Sequence, residues 1–219
     1  MRLSQLRDGE PHDVSQLEVL IDEANWVFAH PGMTVACRPL RLDEAPAAAE
    51  IEATRFLPST SVQGFESFIL GQKSLCCGVF LSDTLVGCAS ANVTSPLGED
   101  SSEAFIDNIS ILEPYAGCGL GLLLTAYLLK CATKSPYLSS RATLEVRSSN
   151  TSAKRIYSRL GFTCHGIRKR YYSHPTEDAE IHWLDGMEFF TFKDVLSDAV
   201  SHALELIHVK QLGARGGTV

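Results

Sequence analysis

A glycine-rich turn between an apolar strand and a helix constrains the fold of this chain more than any other feature of its sequence. An apolar run with β-branched residues predicts a strand over 104–112, and the pattern of residues 122–132 predicts a helix. The turn at 116–121 contains three glycines, which let the backbone approach a ligand closely. The free N–H groups and the dipole at the start of the helix favour an anion there, and a pyrophosphate would suit this position.

The turn alone does not identify the ligand. Gly117, Gly119 and Gly121 are spaced GxGxG, which departs from the dinucleotide pattern GxGxxG because position 122 is leucine. The turn also lacks the Gly-Lys-Ser/Thr of a P-loop, which disfavours ATP and GTP. A tight strand-to-helix turn without a ligand is the alternative at this point.

Helical and strand patterns place the turn within a mixed sheet. After residue 33 their order is β-α-α-β-β-β-α-β-α-β-β, which favours a mixed α/β sheet over a doubly wound parallel one. We expect a domain over 34–192, a helical extension within 1–33, and a C-terminal amphipathic helix near 193–209 with a tail, within 193–219. The predicted helices are 13–29, 43–54 (capped by Asp43), 63–70, 122–132 and 150–160. The predicted strands are 34–40, 75–81, 85–93, 104–112, 142–146, 162–172 and 179–192.

Residues 144–162 carry candidates for acid–base chemistry. Glu145 and Arg147 lie two residues apart on a strand and therefore share a face. Partial burial would disfavour the ionised form of Glu145, and such a carboxylate can take a proton from an amine. Tyr157 is a candidate proton donor to a departing thiolate, and Asn150 fits a helix N-cap. The alternatives are an exposed Glu145 in an ion pair and a Tyr157 that only packs in the core.

Together these segments resemble the GNAT superfamily of N-acetyltransferases. The turn is similar to the acetyl-CoA motif (Gln/Arg)-x-x-Gly-x-Gly/Ala, and residues 144–162 resemble the segment LEVR-x-SN-x-x-A-x-x-x-Y-x-x-LGF of bacterial ribosomal-protein alanine N-acetyltransferases. Residues 168–172 and 177–179 resemble the R-x-x-YY … EDA ending of that group, and eukaryotic N-terminal acetyltransferase catalytic subunits are similar. The resemblance spans residues 34–191, is most specific over 144–172, and implies the GNAT fold, a mixed central sheet of about seven strands flanked by helices.

The resemblance implies a donor, an acceptor and a set of site residues. It implies acetyl-CoA as donor, the α-amine at a protein N-terminus as acceptor, Glu145 as general base and Tyr157 as general acid. Two loop tyrosines would close over a peptide backbone, and the break at 57–59 lies where relatives place a substrate loop. The implied substrate-binding residues are Leu57, Pro58, Tyr171 and Tyr172. The implied cofactor contacts are Ile109, Ser110 and Ile111 through backbone groups along the pantetheine arm, Gly117, Cys118, Gly119, Leu120, Gly121 and Leu122 around the pyrophosphate, and Asn150.

Ala116 departs from the motif, because relatives have Gln or Arg at that position. The phosphate site would keep its backbone donors and lose a side-chain hydrogen bond, which is worth about 1.5–3 kcal/mol when one group is charged. The alternatives are therefore an inactive GNAT-like binding or regulatory subunit and, because the cofactor motif does not define the acceptor, an acetyltransferase of a small-molecule amine. The terminal helices could bind an auxiliary subunit.

Composition decides which other partners are expected. The 219-residue chain has a formal net charge of -7, so nucleic acid and anionic membranes are not expected partners, although residues 168–170 form a local basic run. No apolar segment approaches a membrane span, and the first residues lack the pattern of a secretory signal. The seven cysteines show no CxxC pair and no zinc-type Cys/His cluster. We expect reduced thiols, no metal and a cytoplasmic location.

Overall fold

One mixed sheet organises the part of the chain that the computed structural model describes, which comprises residues 18–21, 24–30, 33–56, 58–95, 102–134 and 136–187. The strands of these residues are β1 (Glu18–Ile21), β2 (Trp26–His30), β3 (Met33–Pro39), β4 (Ser74–Leu81), β5 (Thr84–Thr94), β6 (Ser102–Ile111), β7 (Ser139–Arg147), β8 (Thr163–Ser173) and β9 (Thr176–Asp185). The helices are α1 (Ala45–Ala53), α2 (Val62–Leu70), α3 (Leu120–Ala132) and α4 (Thr151–Arg159). Short 3-10 turns lie at Leu42–Glu44 and Glu113–Tyr115.

The sheet order confirms the predicted mixed topology. The strands lie in the order β1-β2-β3-β4-β5-β6-β7-β9-β8, and all neighbours pair antiparallel except β6 and β7. The parallel pair is joined through α3, as a crossover connection requires. From β3 onward the element order is the predicted one.

The predicted helix over 13–29 is wrong over its described residues, which form β1 and β2 instead. The side chains of β2 alternate between buried and half-buried, and Trp26 and Phe28 are both 1% exposed. That period of two fits a strand that pairs with β3, and the sheet gains two strands over the predicted seven. Residues 1–33 therefore do not form a separate helical extension where the structure describes them.

Helices cover both faces of the sheet. α1 and α2 pack on one face through Ala45, Ala48 and Phe65 against β4 and β5. α3 packs on the other face, where its leucines, 0–5% exposed, form the centre of the main core with Tyr157 of α4. We call these the α1 face and the α3 face.

Helix α1, predicted over 43–54, begins later than predicted, so Asp43 is not its cap. The chain makes a 3-10 turn first, in which the carboxylate of Glu44 accepts the Arg41 N–H at 2.8 Å and pairs with Arg38 at 2.5 Å. α1 then starts at Ala45, with Pro46 in its first turn. The remaining helices agree with prediction, and Asn150 caps α4 by accepting the Ala153 N–H at 3.1 Å.

The structure describes the predicted last hairpin but not the predicted C-terminal helix. The last hairpin is tighter than expected, because β9 begins at Thr176, after a turn at His174-Pro175. The predicted helix at 193–209 lies outside the described residues. All seven cysteines are free thiols, and only Cys164 is exposed.

Candidate active site

The parallel strands at the centre of the sheet separate along their length. Their pairing runs from Ser102 opposite Ser139 to Ile106 opposite Leu144 and ends there. Among the described strands, β6 pairs beyond that point only with β5, and β7 only with β9. The edge of residues 109–111 that faces β7 thus has no partner in the described sheet, and its backbone groups can hydrogen-bond an extended ligand.

The glycine-rich turn lies just after this open edge. Gly117 (φ 75°) and Gly119 (φ 80°) adopt the left-handed region, and Gly119 is the residue that caps α3. Cys118, Leu120 and Leu122 are buried in the core, so the turn can offer a ligand its backbone and not these side chains. A Cβ placed on Gly117 would meet nothing within 4 Å, so there is open space at the N-terminus of a 13-residue helix. These features fit a pyrophosphate bound by backbone N–H groups.

Glu145 lies on β7 directly after the last parallel pair. Its side chain is only 8% exposed, and its Oε1 lies 2.9 Å from Nε of Arg168. A hydrogen bond with Glu145 is the main cause that raises the pKa of Tyr171. Glu145 is thus largely buried, as expected of a general base, and also ion-paired, as expected under the alternative interpretation.

Tyr157 lies on the opposite side of the sheet from Glu145. It is 8% exposed, and its ring packs against Phe162 at 5.7 Å and His182 at 6.3 Å between ring centroids. Burial raises its pKa, with a smaller contribution from Tyr172. Its hydroxyl makes no hydrogen bond with any described residue, so it packs in the core and still keeps a free donor.

The hairpin of β8 and β9 places two tyrosines beside Glu145. Tyr172 donates a hydrogen bond to the Glu145 carbonyl oxygen at 3.3 Å, and burial raises its pKa to about 12. The guanidinium of Arg147 lies 4.1 Å from the centre of the Tyr172 ring and donates to the carbonyl oxygens of His174 and Pro175 at 3.0 and 3.2 Å. Arg147 therefore fixes the hairpin turn and the tyrosine together.

A cavity of about 580 Å³ opens between this hairpin and the segment after α1. We call it the hairpin cavity. Its lining includes Arg55, Phe56, Pro58, Arg147, Tyr171 and Tyr172. Three of the four predicted substrate residues thus lie in one place, and Leu57 is outside the described residues. Arg55 is ion-paired with Glu113, next to the glycine-rich turn.

A buried carboxylate connects the cavity wall to β6. Glu52 of α1 is 4% exposed and accepts hydrogen bonds from the N–H and hydroxyl of Thr60, both at 2.9 Å. Its other oxygen accepts from Asn108 Nδ2 at 2.8 Å. Glu52 therefore ties the segment between α1 and α2 to the strand with the open edge.

Sequence reasoning missed several residues that position this site. Glu177 accepts the Ser149 N–H at 2.6 Å, which is the main cause that lowers its pKa, and it pairs with Arg147. Lys169 pairs with Asp178 at 2.8 Å. Glu177 and Asp178 of the EDA motif thus secure the hairpin, and two residues of the basic run 168–170, Arg168 and Lys169, are ion-paired. The motif marked these positions, but their partners become visible only in the folded chain.

The structure also brings together a Cys/Glu/His group that the sequence did not predict. Ligand atoms of Cys164, Glu180 and His182 lie within 4.8 Å of one another. Glu180 already pairs with Lys154 at 2.8 Å and contacts His182 at 3.1 Å. The Lys154 pair is the main cause that lowers the pKa of Glu180, so we interpret the group as a hydrogen-bonded network.

An open strand edge next to a glycine-rich helix N-terminus can hold an extended ligand that carries a pyrophosphate, as an acyl-coenzyme A does. Residues 39–162 match the Acetyltransferase (GNAT) family. A Bacillus subtilis (strain 168) protein, provisionally named a ribosomal protein bS18-alanine N-acetyltransferase, is 32% identical to this chain over 151 residues. The aligned region covers 68% of this chain and 94% of that protein. A Haemophilus influenzae bS18-alanine N-acetyltransferase is 41% identical over 78 residues, 36% of this chain and 51% of that protein.

Solved structures agree. The crystal structure of the ribosomal-protein-S18-alanine N-acetyltransferase from Escherichia coli superposes with a TM-score of 0.59 at 29% identity, over 69% of this chain and 94% of that one. Arabidopsis thaliana NAA60 in complex with acetyl-CoA gives a TM-score of 0.61 at 16% identity, over 69% and 98% of the two chains, and shows the same fold. The chain belongs to the GNAT acetyltransferase family. It is an acyltransferase that uses acetyl-CoA.

None of the described helices is long and apolar enough to cross a membrane.

Proposed function

We propose that this enzyme transfers the acetyl group to the α-amine at the N-terminus of a protein or peptide. The observation that carries the proposal is the hairpin cavity, because Tyr171 and Tyr172 line it and both also contact Glu145. A peptide that enters there would bring its first residue to the point where β6 and β7 separate. The names of the Bacillus, Haemophilus and Escherichia relatives, which specify an alanine of a ribosomal protein, support a protein acceptor.

In this proposal the cofactor lies along β6. The backbone groups of residues 109–111 hold the pantetheine arm, and the turn at 117–122 binds the pyrophosphate through N–H groups. Ala116 leaves this binding without the side chain that the family motif supplies. The Asn150 side chain is used as the cap of α4, so we assign its cofactor contact only as a prediction.

The two proposed acid–base residues act from opposite faces of the sheet. An α-amine has a pKa of about 7.7–8.0, so part of it is neutral at cellular pH. As the nitrogen attacks the thioester carbon it becomes cationic, and Glu145 accepts one of its two protons, directly or through water. Backbone N–H groups near Ile111 stabilise the oxyanion. The carbon–sulfur bond then breaks, and Tyr157 protonates the coenzyme A thiolate.

Thiol release from acetyl-CoA tests the proposal. Peptides that differ in their first two residues are compared with the same peptides blocked at the N-terminus, and with polyamines and free amino acids. We expect release with a subset of the free peptides and none with the blocked ones. Release only with small amines would assign a small-molecule acceptor, and acetyl-CoA binding without any release would assign a binding or regulatory domain. The auxiliary subunit predicted for the terminal helices stays a prediction.

A further inference from the structure

β6 contains a bulge where it separates from β7. Ala91 of β5 pairs with Ile106 and the next residue, Ser90, pairs with Asn108, so Asp107 is the extra residue of the bulge. The pairing of β6 with β7 ends at Ile106 opposite Leu144. Asp107 and Glu145 are therefore the first residues of the two strands beyond their last common pair.

Asp107 shares a face of the sheet with Glu145. Ile106 and Leu144 are both buried in the core on the α3 face. Because side chains alternate along a strand, the next residue on each strand points to the α1 face. The bulge interrupts the alternation after Asp107, so Asn108 lies on the α1 face as well, where its side chain hydrogen-bonds Glu52 of α1. The α1 face is also the side on which the segment lining the hairpin cavity leaves α1.

Among the described residues, the surroundings of Asp107 contain anions and amides but no cation. Its Oδ2 accepts a hydrogen bond from Asn92 Nδ2 of β5 at 2.9 Å, which holds this partly exposed side chain in place. Partial burial raises its pKa to about 6, and the Glu52 carboxylate adds to the effect. Whereas Glu145 pairs with Arg168, no described cationic side chain pairs with Asp107.

A second acceptor atom next to Asp107 is also unused. Asn108 is 8% exposed, and its Oδ1 has no donor among the described residues, although its Nδ2 donates to Glu52 and Ser90. A ligand with a positively charged nitrogen would supply what this part of the α1 face lacks.

We propose that Asp107 is a second anionic contact for the acceptor, which binds a cationic nitrogen near the start of the peptide while Glu145 serves the reacting amine. This inference rests on the proposed function. The cation has two possible sources, the α-ammonium group before it is deprotonated and a lysine or arginine side chain at the second residue.

Asp107→Asn tests the assignment, because asparagine keeps the size and the hydrogen bond to Asn92 and removes the charge. Two peptides with free N-termini, identical except for Ala or Arg at the second residue, are assayed at saturating acetyl-CoA for KM and kcat. Calorimetry with the coenzyme A complex gives the affinity of each peptide independently of turnover. We expect KM to rise about tenfold and kcat to stay within about twofold, since a charge-assisted contact is lost before the chemical step.

The two peptides separate the sources of the cation. A rise in KM for both identifies the α-ammonium group, and a rise for the Arg peptide alone identifies the side chain. Unchanged KM and affinity with both peptides would overturn the inference. The control is Asp83→Asn, which removes the same charge in the β4–β5 turn at φ 70°, a conformation that asparagine tolerates. If the unsubstituted enzyme binds peptides without acetylating them, the proposed function fails, whereas weaker binding by Asp107→Asn would still support the contact.

Discussion

Glu145 has to hold a fixed position and still accept a proton. Arg168 Nε lies 2.9 Å from its carboxylate, and the Arg168 side chain is 56% exposed while that of Glu145 is 8% exposed, so solvent reaches the pair from the arginine side. In the proposed mechanism the ammonium group of the acceptor replaces Arg168 at this carboxylate. The ion pair therefore orients the carboxylate before the acceptor binds.

Glu145→Gln is expected to lower kcat about 10²–10³-fold, because the amide keeps the shape and cannot accept the proton. Steady-state kinetics measures the loss, and titration with acetyl-CoA should show unchanged affinity. Glu103→Gln, at the far end of β6, is the control and should keep full activity. A Glu145→Gln enzyme with a kcat near the unsubstituted value would remove Glu145 from the mechanism.

Tyr157→Phe separates chemistry from packing. Phenylalanine keeps the ring contact with Phe162, and the lost hydroxyl has no described partner, so the free energy of unfolding should change by less than about 1 kcal/mol. The loss of the proton donor should lower kcat about 10²-fold. Tyr137→Phe should instead lower the free energy of unfolding and leave kcat unchanged. The Tyr137 hydroxyl donates to the Ser74 carbonyl oxygen at 2.9 Å, far from the site. Single-turnover rates and urea titrations measure the two effects, and equal kcat values for both variants would contradict the assignment.

Asp107 should make stability depend on pH. Its pKa is raised to about 6 in the folded chain, so between its unfolded pKa, near 4, and pH 6 the folded state binds more protons than the unfolded state. Its contribution to stability therefore falls as pH rises through this window. Because solvent screens this partly exposed carboxylate, we expect the free energy of unfolding to change by only about 1 kcal/mol, or a few degrees in Tm. Asp107→Asn should raise Tm at pH 8 more than at pH 5 in thermal scans, and an equal shift at both pH values would show that the carboxylate is not perturbed.

At the scale of elements, local signals predicted most of the fold. Asn150 and Gly161 bracket α4 as cap and left-handed C-terminal residue, and both roles are local properties of the chain. The apolar side chains of 13–29 fit a helical period, yet pairing with β3 selects the strand. Such pairing is a long-range interaction, and a short apolar pattern does not contain it.

In the candidate site, too, local features could be predicted from the sequence and contacts between distant residues could not. The motifs named Glu145, Tyr157, Tyr171 and Tyr172 as candidates, because each motif is a short stretch of the chain, and the structure places Tyr171 and Tyr172 on strand β8. The ion pair with Arg168, the bulge at Asp107 and the hairpin contacts of Arg147 join residues from different strands. They depend on the register of the sheet, which the sequence pattern does not determine.

A matched pair of glycine substitutions tests the turn before α3. Gly117 and Gly161 both have positive φ, and a Cβ on either one would have room, so alanine should lower the free energy of unfolding by about 1 kcal/mol in both cases. Only Gly117 lies in the proposed pyrophosphate site. Gly117→Ala should therefore raise KM for acetyl-CoA about tenfold through loss of close approach, as measured by initial rates, while Gly161→Ala should leave it unchanged. A similar KM in both variants would place the pyrophosphate elsewhere.

At the scale of the whole molecule, the N-terminal strands belong to the same core as the site. Trp26 packs edge-to-face on Tyr127 of α3 at 5.2 Å, and the Tyr127 hydroxyl donates to the Ala24 carbonyl oxygen. α3 in turn begins at the glycine-rich turn. The segment before β3 thus supports the helix whose first turn is proposed to bind the cofactor.

Trp26→Ala should destabilise the whole domain, because the indole is 1% exposed and its removal leaves a large cavity against α3. We expect the free energy of unfolding to fall by about 3–5 kcal/mol in urea titrations. Trp183→Ala is the matched control, since Trp183 is half-buried, stacks on His165 at 4.6 Å and lies under Arg141, so its loss should cost less than half as much. If the N-terminal strands were an independent appendage, Trp26→Ala would leave the main unfolding transition unchanged. If the core is a single cooperative unit, that transition shifts to lower urea concentration, and kcat is retained at urea concentrations below the transition.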